Sequence, residues 1–178
     1  MRRTDILLEL LAASRPVGTD ASIVGTTRLQ KLLFLVENEE NVKVTEGEDF
    51  GFTAYKFGPV SKDIYDDLTK LENLDFVSSR PVAEPSDVER DEFGLSFEGL
   101  VGDEEAAEAL EEKQYRITEK GKKWLSSRNL SKENVQGIQR VKGRYGSLSL
   151  KDLLHYVYSK YPKYTTASEI KDRVLGVR

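Results

Sequence analysis

The sequence predicts an α+β protein that is mostly helical, with a small antiparallel β-flap and a C-terminal helical extension. Three observations predict it. Apolar residues recur at helical spacing in two long stripes, Leu29-Leu32-Leu33-Val36 and Leu150-Leu153-Leu154-Val157-Tyr161. Two β-type runs, Phe76–Arg80 and Gln114–Ile117, flank a long acidic stretch, the pattern of a hairpin with an oversized tip. Hydrophobic residues make up 38% of the 178 positions and charged residues 33%, an adequate core inside a highly charged surface.

The first helix is expected over Thr4–Ala13, where Leu7, Leu10 and Leu11 repeat at helical spacing. The cluster Ser14-Arg15-Pro16-Val17-Gly18 ends it, and the next dozen residues read as loop. The second helix spans Thr27–Glu39, with Phe34 and Leu35 adding apolar surface on a second side, so it is expected to be buried around much of its circumference. Residues 41–49 are polar and read as loop with a short strand. Phe50, Phe52 and Tyr55 form a β-type run ending at Gly58-Pro59. A third helix is expected to start at Pro59, which tolerates the first helical position, with Val60, Ile64, Leu68 and Leu71 on one face.

After the first flap strand, Pro81 and Pro85 open the acidic insertion. It holds Phe93-Gly94-Leu95-Ser96-Phe97, a short alternating run, and Asp103–Glu112, which reads as an exposed acidic helix or disorder. Thr118 is a good N-cap for a short helix carrying Trp124 and Leu125. Ser131 caps a helix with Val135, Ile138 and Val141 inward and Arg140, Lys142 and Arg144 outward. A break is expected at residues 143–146. Ser149 caps the next helix, Pro162 stops it, and a last short helix holds Ile170, Val174 and Leu175. This divides the chain into a core of residues 1–128, with the insertion at about 83–112, and an extension of residues 129–178 packed on it.

Charge is distributed unevenly. The net charge is -4 and the pI about 5.3, which argues against a dedicated nucleic-acid binder. Residues 83–112 hold twelve acids and one base, Arg90, whereas residues 113–144 hold ten bases against two acids, Glu119 and Glu133. Lys113, Arg116, Lys120, Lys122, Lys123, Arg128, Arg140, Lys142 and Arg144 could line a phosphate-binding surface. The plainer reading is a solvated face, or a partner for the acidic insertion, which would then mask it until displaced.

The chain has no cysteine, which removes disulfides, thiolate metal sites and a cysteine nucleophile and fits a reducing cytoplasm. The N-terminal apolar run is too short for a signal peptide or a membrane span, and no membrane partner is expected. No catalytic set stands at a persuasive spacing. His155, the only histidine, shares a helix with Asp152 and reads as a surface or interface residue. Asp66-Asp67 and Asp103-Glu104-Glu105 are adjacent neighbours, not convergent ligands, and no metal site or cofactor is expected. Gly58-Pro59 leads into no Lys-Ser/Thr pair, so it is not a phosphate cradle.

Two resemblances organise these pieces. Leu68–Val77 and Tyr115-Arg116-Ile117-Thr118-Glu119-Lys120-Gly121 resemble the end of a recognition helix and the return strand of a wing, implying a winged helix-turn-helix-like core. More narrowly, Leu29-Gln30-Lys31-Leu32-Leu33-Phe34-Leu35, Phe52-Thr53-Ala54-Tyr55-Lys56-Phe57-Gly58-Pro59-Val60-Ser61 and Ile64-Tyr65 resemble the Panacea domain, the SocA-type antitoxin family. The motif positions are Leu32, Leu33, Tyr55, Phe57, Gly58, Pro59 and Val60. The resemblance implies a non-enzymatic protein that neutralises or delivers another protein, a toxin or a protease-delivery partner.

A winged helix sets its third helix in the DNA major groove. The outward residues expected here are Lys62, Asp63, Tyr65, Asp66, Asp67, Thr69, Lys70 and Glu72, four acids against two bases, which duplex DNA would repel. Lys62, Asp63, Tyr65, Asp66 and Lys70 are therefore assigned to a protein partner, with a DNA-binding regulator as the alternative. Tyr145, Tyr156, Tyr158, Tyr161 and Tyr164 crowd the C-terminal third, either as partly buried bundle residues or as a homodimer or partner surface.

Overall fold

The second helix carries the most thoroughly buried stretch of the chain, and the other elements are arranged on it. A computed structural model describes residues 1–14, 21–40, 42, 44–45, 48–82 and 113–176. The helices are α1 (Arg3–Ala12), α2 (Thr26–Glu39), α3 (Asp63–Asn73), α4 (Glu119–Ser126), α5 (Lys132–Tyr145), α6 (Leu150–Lys160) and α7 (Lys171–Leu175). The strands are β1 (Ile23–Val24), β2 (Thr53–Tyr55), β3 (Gly58–Val60), β4 (Val77–Pro81) and β5 (Lys113–Ile117), and a 3-10 turn spans Pro162–Thr165. The protein is thus α+β and mostly helical, with two small antiparallel sheets.

In α2 every residue from Leu32 to Val36 is fully buried, along with Leu29. A stripe of four apolar residues would bury one face only; adding Phe34 and Leu35 makes the helix apolar nearly all round, so it must lie inside. It packs against α1, α5 and α6, and Phe34 is the aromatic hub. Its ring lies edge-on to Phe52, Tyr161 and Tyr164 at 5.3, 5.0 and 4.9 Å, joining the β2–β3 hairpin to the C-terminal turn. Burying side chains of this size is worth about 1.5–3 kcal/mol each.

The flap forms as expected, one residue out of step. β4 pairs antiparallel with β5 in the register Val77↔Ile117 to Pro81↔Lys113. Thr118 caps α4, accepting from the Gly121 amide at 3.0 Å, and Ser131 and Ser149 cap α5 and α6 in the same way. A third strand, β1, falls where loop was expected: Ile23↔Tyr115 extends the sheet to the order β1-β5-β4. Two residues carry no periodicity, so only the pairing with β5 reveals it.

Three further expectations are corrected. Pro59 does not begin α3; Gly58–Val60 is a strand paired with Thr53–Tyr55, and the helix starts at Asp63. Val60 is accordingly half-buried in the hairpin, while Ile64, Leu68 and Leu71 form the buried face of α3. The expected break at residues 143–146 comes later, because α5 continues to Tyr145 and gives way only at Gly146. The described residues between 41 and 49 hold no strand. The Phe93–Phe97 run, the Asp103–Glu112 helix and the masking role of the insertion lie outside the described residues.

Two lysines lie inside, Lys142 against the outward position expected for it. Lys142 is fully buried, and its Nζ donates to the carbonyls of Leu10 and Ala21, both at 2.8 Å, fastening α5 to α1. Lys31 is fully buried in α2. At the C-terminal end of α2, the Glu39 carboxylate accepts from the hydroxyls of Tyr145 at 2.5 Å and Tyr156 at 2.6 Å and from Lys160 Nζ at 2.9 Å. Burial pushes the Glu39 carboxyl up, but these donors outweigh it and hold the group below its ordinary value. Tyr158 is buried and Tyr164 packs on Phe34, so the C-terminal tyrosines turn inward and the bundle reading of them stands.

Candidate partner-binding face

The two motif segments, Leu29–Leu35 and Phe52–Ser61, meet through polar contacts inside the protein. Gln30, 1% exposed, donates from Nε2 to the Ser61 carbonyl at 2.9 Å and accepts from the Ser61 amide at 3.1 Å. One side-chain amide thereby satisfies both backbone groups of a buried residue that no helix or sheet serves. The next residue, Lys31, donates from Nζ to the Pro59 carbonyl at 2.9 Å. Desolvation lowers its ammonium to about 7.

Gly58 is required for two reasons. Its φ is +82°, a backbone conformation that side-chain-bearing residues rarely adopt. A Cβ there would also stand 2.7 Å from Cε1 of the buried Tyr158 ring. The turn is held from the C-terminal side as well, where the Glu169 amide donates to the Lys56 carbonyl at 3.0 Å. The hairpin is thus gripped between α2 and the C-terminal segment. Leu32, Leu33, Gly58 and Pro59 are buried and Phe57 and Val60 half-buried, so these motif positions are framework. Tyr55 differs from them, being 43% exposed.

α3 is anchored from α1. Arg3 donates from Nε to Asp67 Oδ2 at 2.8 Å and from Nη1 to Asp63 Oδ2 at 2.9 Å. Asp67 is buried, 3% exposed, where an outward position was expected: the Arg3 guanidinium draws it in. Asp63 remains exposed but its charge is met by Arg3. The exposed face of α3 therefore presents Lys62, Tyr65, Asp66, Thr69 and Lys70, and its acid count is lower than the sequence alone implies. Lys70 leans towards Asp67 at 3.4 Å.

Tyr65 is 46% exposed, yet burial pushes its phenol up and Gln30 hydrogen-bonds it, so the hydroxyl end is tucked in while ring surface faces solvent. Tyr55, on β2, is likewise exposed. Gln30 ties Tyr65 to the framework, and nothing in its residue type distinguished it in the sequence. An apolar stripe that carries an amide and a lysine between its leucines was the available signal.

The basic set separates into two neighbourhoods. Lys113 and Arg116 lie on β5, and Lys120, Lys122 and Lys123 on the exposed side of α4, with Lys122 paired to Glu119 at 2.7 Å. Arg128 follows α4 and contacts Asp5 at 3.5 Å. Arg140 is held by Glu40 at 2.6 Å and Arg144 lies over the Tyr145 ring, both near the C-terminal end of α2. Lys142 belongs to the interior and is removed from the set. His155 is exposed, and among the described residues no group of three or more His, Cys, Asp or Glu could hold a metal ion.

The framework contacts join the segments that carry the family resemblance, and comparison with family models decides the assignment. The model described as antitoxin SocA-like, Panacea domain, matches residues 29–162. The chain belongs to the Panacea family. No curated protein matches it. The matched region of this Panacea protein runs from α2 through both motif segments and the flap to the end of α6, so it includes the Glu39 cluster as well as the hairpin clamp.

Proposed function

We propose that this Panacea protein is a non-enzymatic, antitoxin-like regulatory adaptor that acts by protein–protein contact. Residues 1–128 would supply a winged-helix-like core and residues 129–178 an extension that braces it. The partner is another protein, a toxin or a protease-delivery partner, met in the cytoplasm. Lys62, Asp63, Tyr65, Asp66 and Lys70 form the contact face, with Tyr55 beside them. The observation that carries this reading is the exposure of Tyr55 and Tyr65 on a motif framework whose other members are buried or half-buried. Tyrosine offers a large contact area with few rotatable bonds, and tyrosines are enriched where interfaces hold most of their energy. Among the described residues no helix is long and apolar enough to cross a membrane.

A second reading, a DNA-binding regulator, is favoured by one observation: the capture of Asp63 and Asp67 by Arg3 makes the α3 face less acidic. One experiment separates the two. The full chain is co-expressed with the product of the adjacent gene, and its binding to generic duplex DNA is titrated against salt. Co-purification of that product with no salt-dependent DNA binding supports the adaptor. Tight DNA binding that falls steeply with salt, without co-purification, supports the regulator.

A further inference from the structure

A second exposed surface lies away from the hairpin clamp, where β4 begins beside α4. The rings of Phe76 and Trp124 stack at 5.4 Å with 21° between their planes. Lys120 Nζ stands over the Phe76 ring at 5.6 Å, and the Arg128 guanidinium over the Trp124 ring at 5.5 Å. Lys120 and Trp124 stand one turn apart on one face of α4, and Arg128 follows two residues beyond the helix. Trp124 remains 40% exposed, and Leu74, at the α3 terminus two residues before Phe76, is 52% exposed. Lys123 adds a further exposed charge. The stack is held rigidly from below: Thr118 donates to the Asp75 carbonyl at 2.7 Å, and its amide donates to the Phe76 carbonyl at 3.0 Å. Gly121 fits against Phe76 so closely that a Cβ would lie 2.3 Å from its carbonyl oxygen.

We infer that this aromatic and basic ridge is a docking surface for an acidic segment of a partner protein, with an apolar side chain of that segment seated on Leu74 and Trp124. Charge complementarity identifies the occupant: exposed ammonium groups surround an exposed tryptophan, the residue most enriched among interface anchors. Single-stranded nucleic acid is the less suitable occupant. Base stacking needs an open ring face, whereas here each ring already carries another ring and a cation.

Trp124 is the only tryptophan, so its emission reports on this surface alone. The full chain is titrated with a short Glu/Leu peptide, with its Lys/Leu counterpart and with oligo(dT), and Trp124 fluorescence is followed. The expected result is a saturable change with the Glu/Leu peptide only, weakened by added salt and by about tenfold or more in a Lys120→Glu, Lys123→Glu double variant. Leu74→Ser should weaken it separately. Circular dichroism and thermal midpoints, unchanged for these exposed substitutions, keep the comparison between folded proteins. An unresponsive Trp124, a preference for oligo(dT) or the Lys/Leu peptide, or affinity indifferent to the variants would overturn the inference.

Discussion

The two ends of α2 solve the same problem with opposite chemistry. At the N-terminal end, Gln30 and Lys31 reach backbone groups of the hairpin. At the C-terminal end, Glu39 gathers hydroxyls and an ammonium from α5 and α6 around a carboxylate that stays ionised. One end fixes the shape of the motif turn, and the other fixes the C-terminal helices. Both groups titrate below their unfolded values, so stability should rise with pH at each end, in separate windows, and the hairpin end should be the less tolerant of substitution.

The largest effect is expected at Gly58. Gly58→Ala combines an unfavourable φ with a collision against a packed ring that has no room to retreat. It should cost about 4 kcal/mol, read as a drop in the urea midpoint. Next comes Lys31. Its folded value, about 7, is below that of the unfolded chain, so the unfolded state binds more protons between about 7 and 10. Stability should rise with pH across that window by up to about 1.4 kcal/mol per pH unit, and Lys31→Met should flatten the slope.

Gln30→Ala strands a buried amide and a buried carbonyl of Ser61 and should cost about 2 kcal/mol. Tyr156→Phe, at the other end, removes one donor from a carboxylate that keeps Tyr145 and Lys160, and should cost about 1 kcal/mol. The Glu39 carboxyl lies below its ordinary value, so its contribution is present above the unfolded carboxylate range and is lost as pH falls through the folded value. Tyr156→Phe should thus blunt the loss of stability in acid while leaving the slope above neutrality intact. A variant at one end that changed the pH response of the other would break the comparison.

Much of this fold was legible because its signals are local. Periodicity located α2 and α6, and the hydroxyl residues at 118, 131 and 149 marked three helix starts. What failed depends on distant partners. β1 exists through β5, and Asp67 is buried because Arg3, 64 residues away, reaches it. The stripe Val60-Ile64-Leu68-Leu71 extended one member too far, because Val60 belongs to a strand that happens to precede a helix in phase. Charge counting placed Lys142 outside, whereas the backbone carbonyls of Leu10 and Ala21 hold it inside. The exposed residues of α3, Tyr65 among them, could be read in outline from its apolar stripe, whereas the exposure of Tyr55 required the hairpin in three dimensions.

The central claim is that the framework residues shape the hairpin and α3 while Tyr55, Tyr65 and Asp66 touch the partner. The most direct test is a Tyr65→Ala, Asp66→Lys double variant, co-expressed with the product of the adjacent gene and compared with wild type in co-purification and in urea unfolding. The account predicts stability within about 0.5 kcal/mol of wild type, as for exposed positions generally, and loss of the partner. Undiminished co-purification by a folded double variant would contradict it.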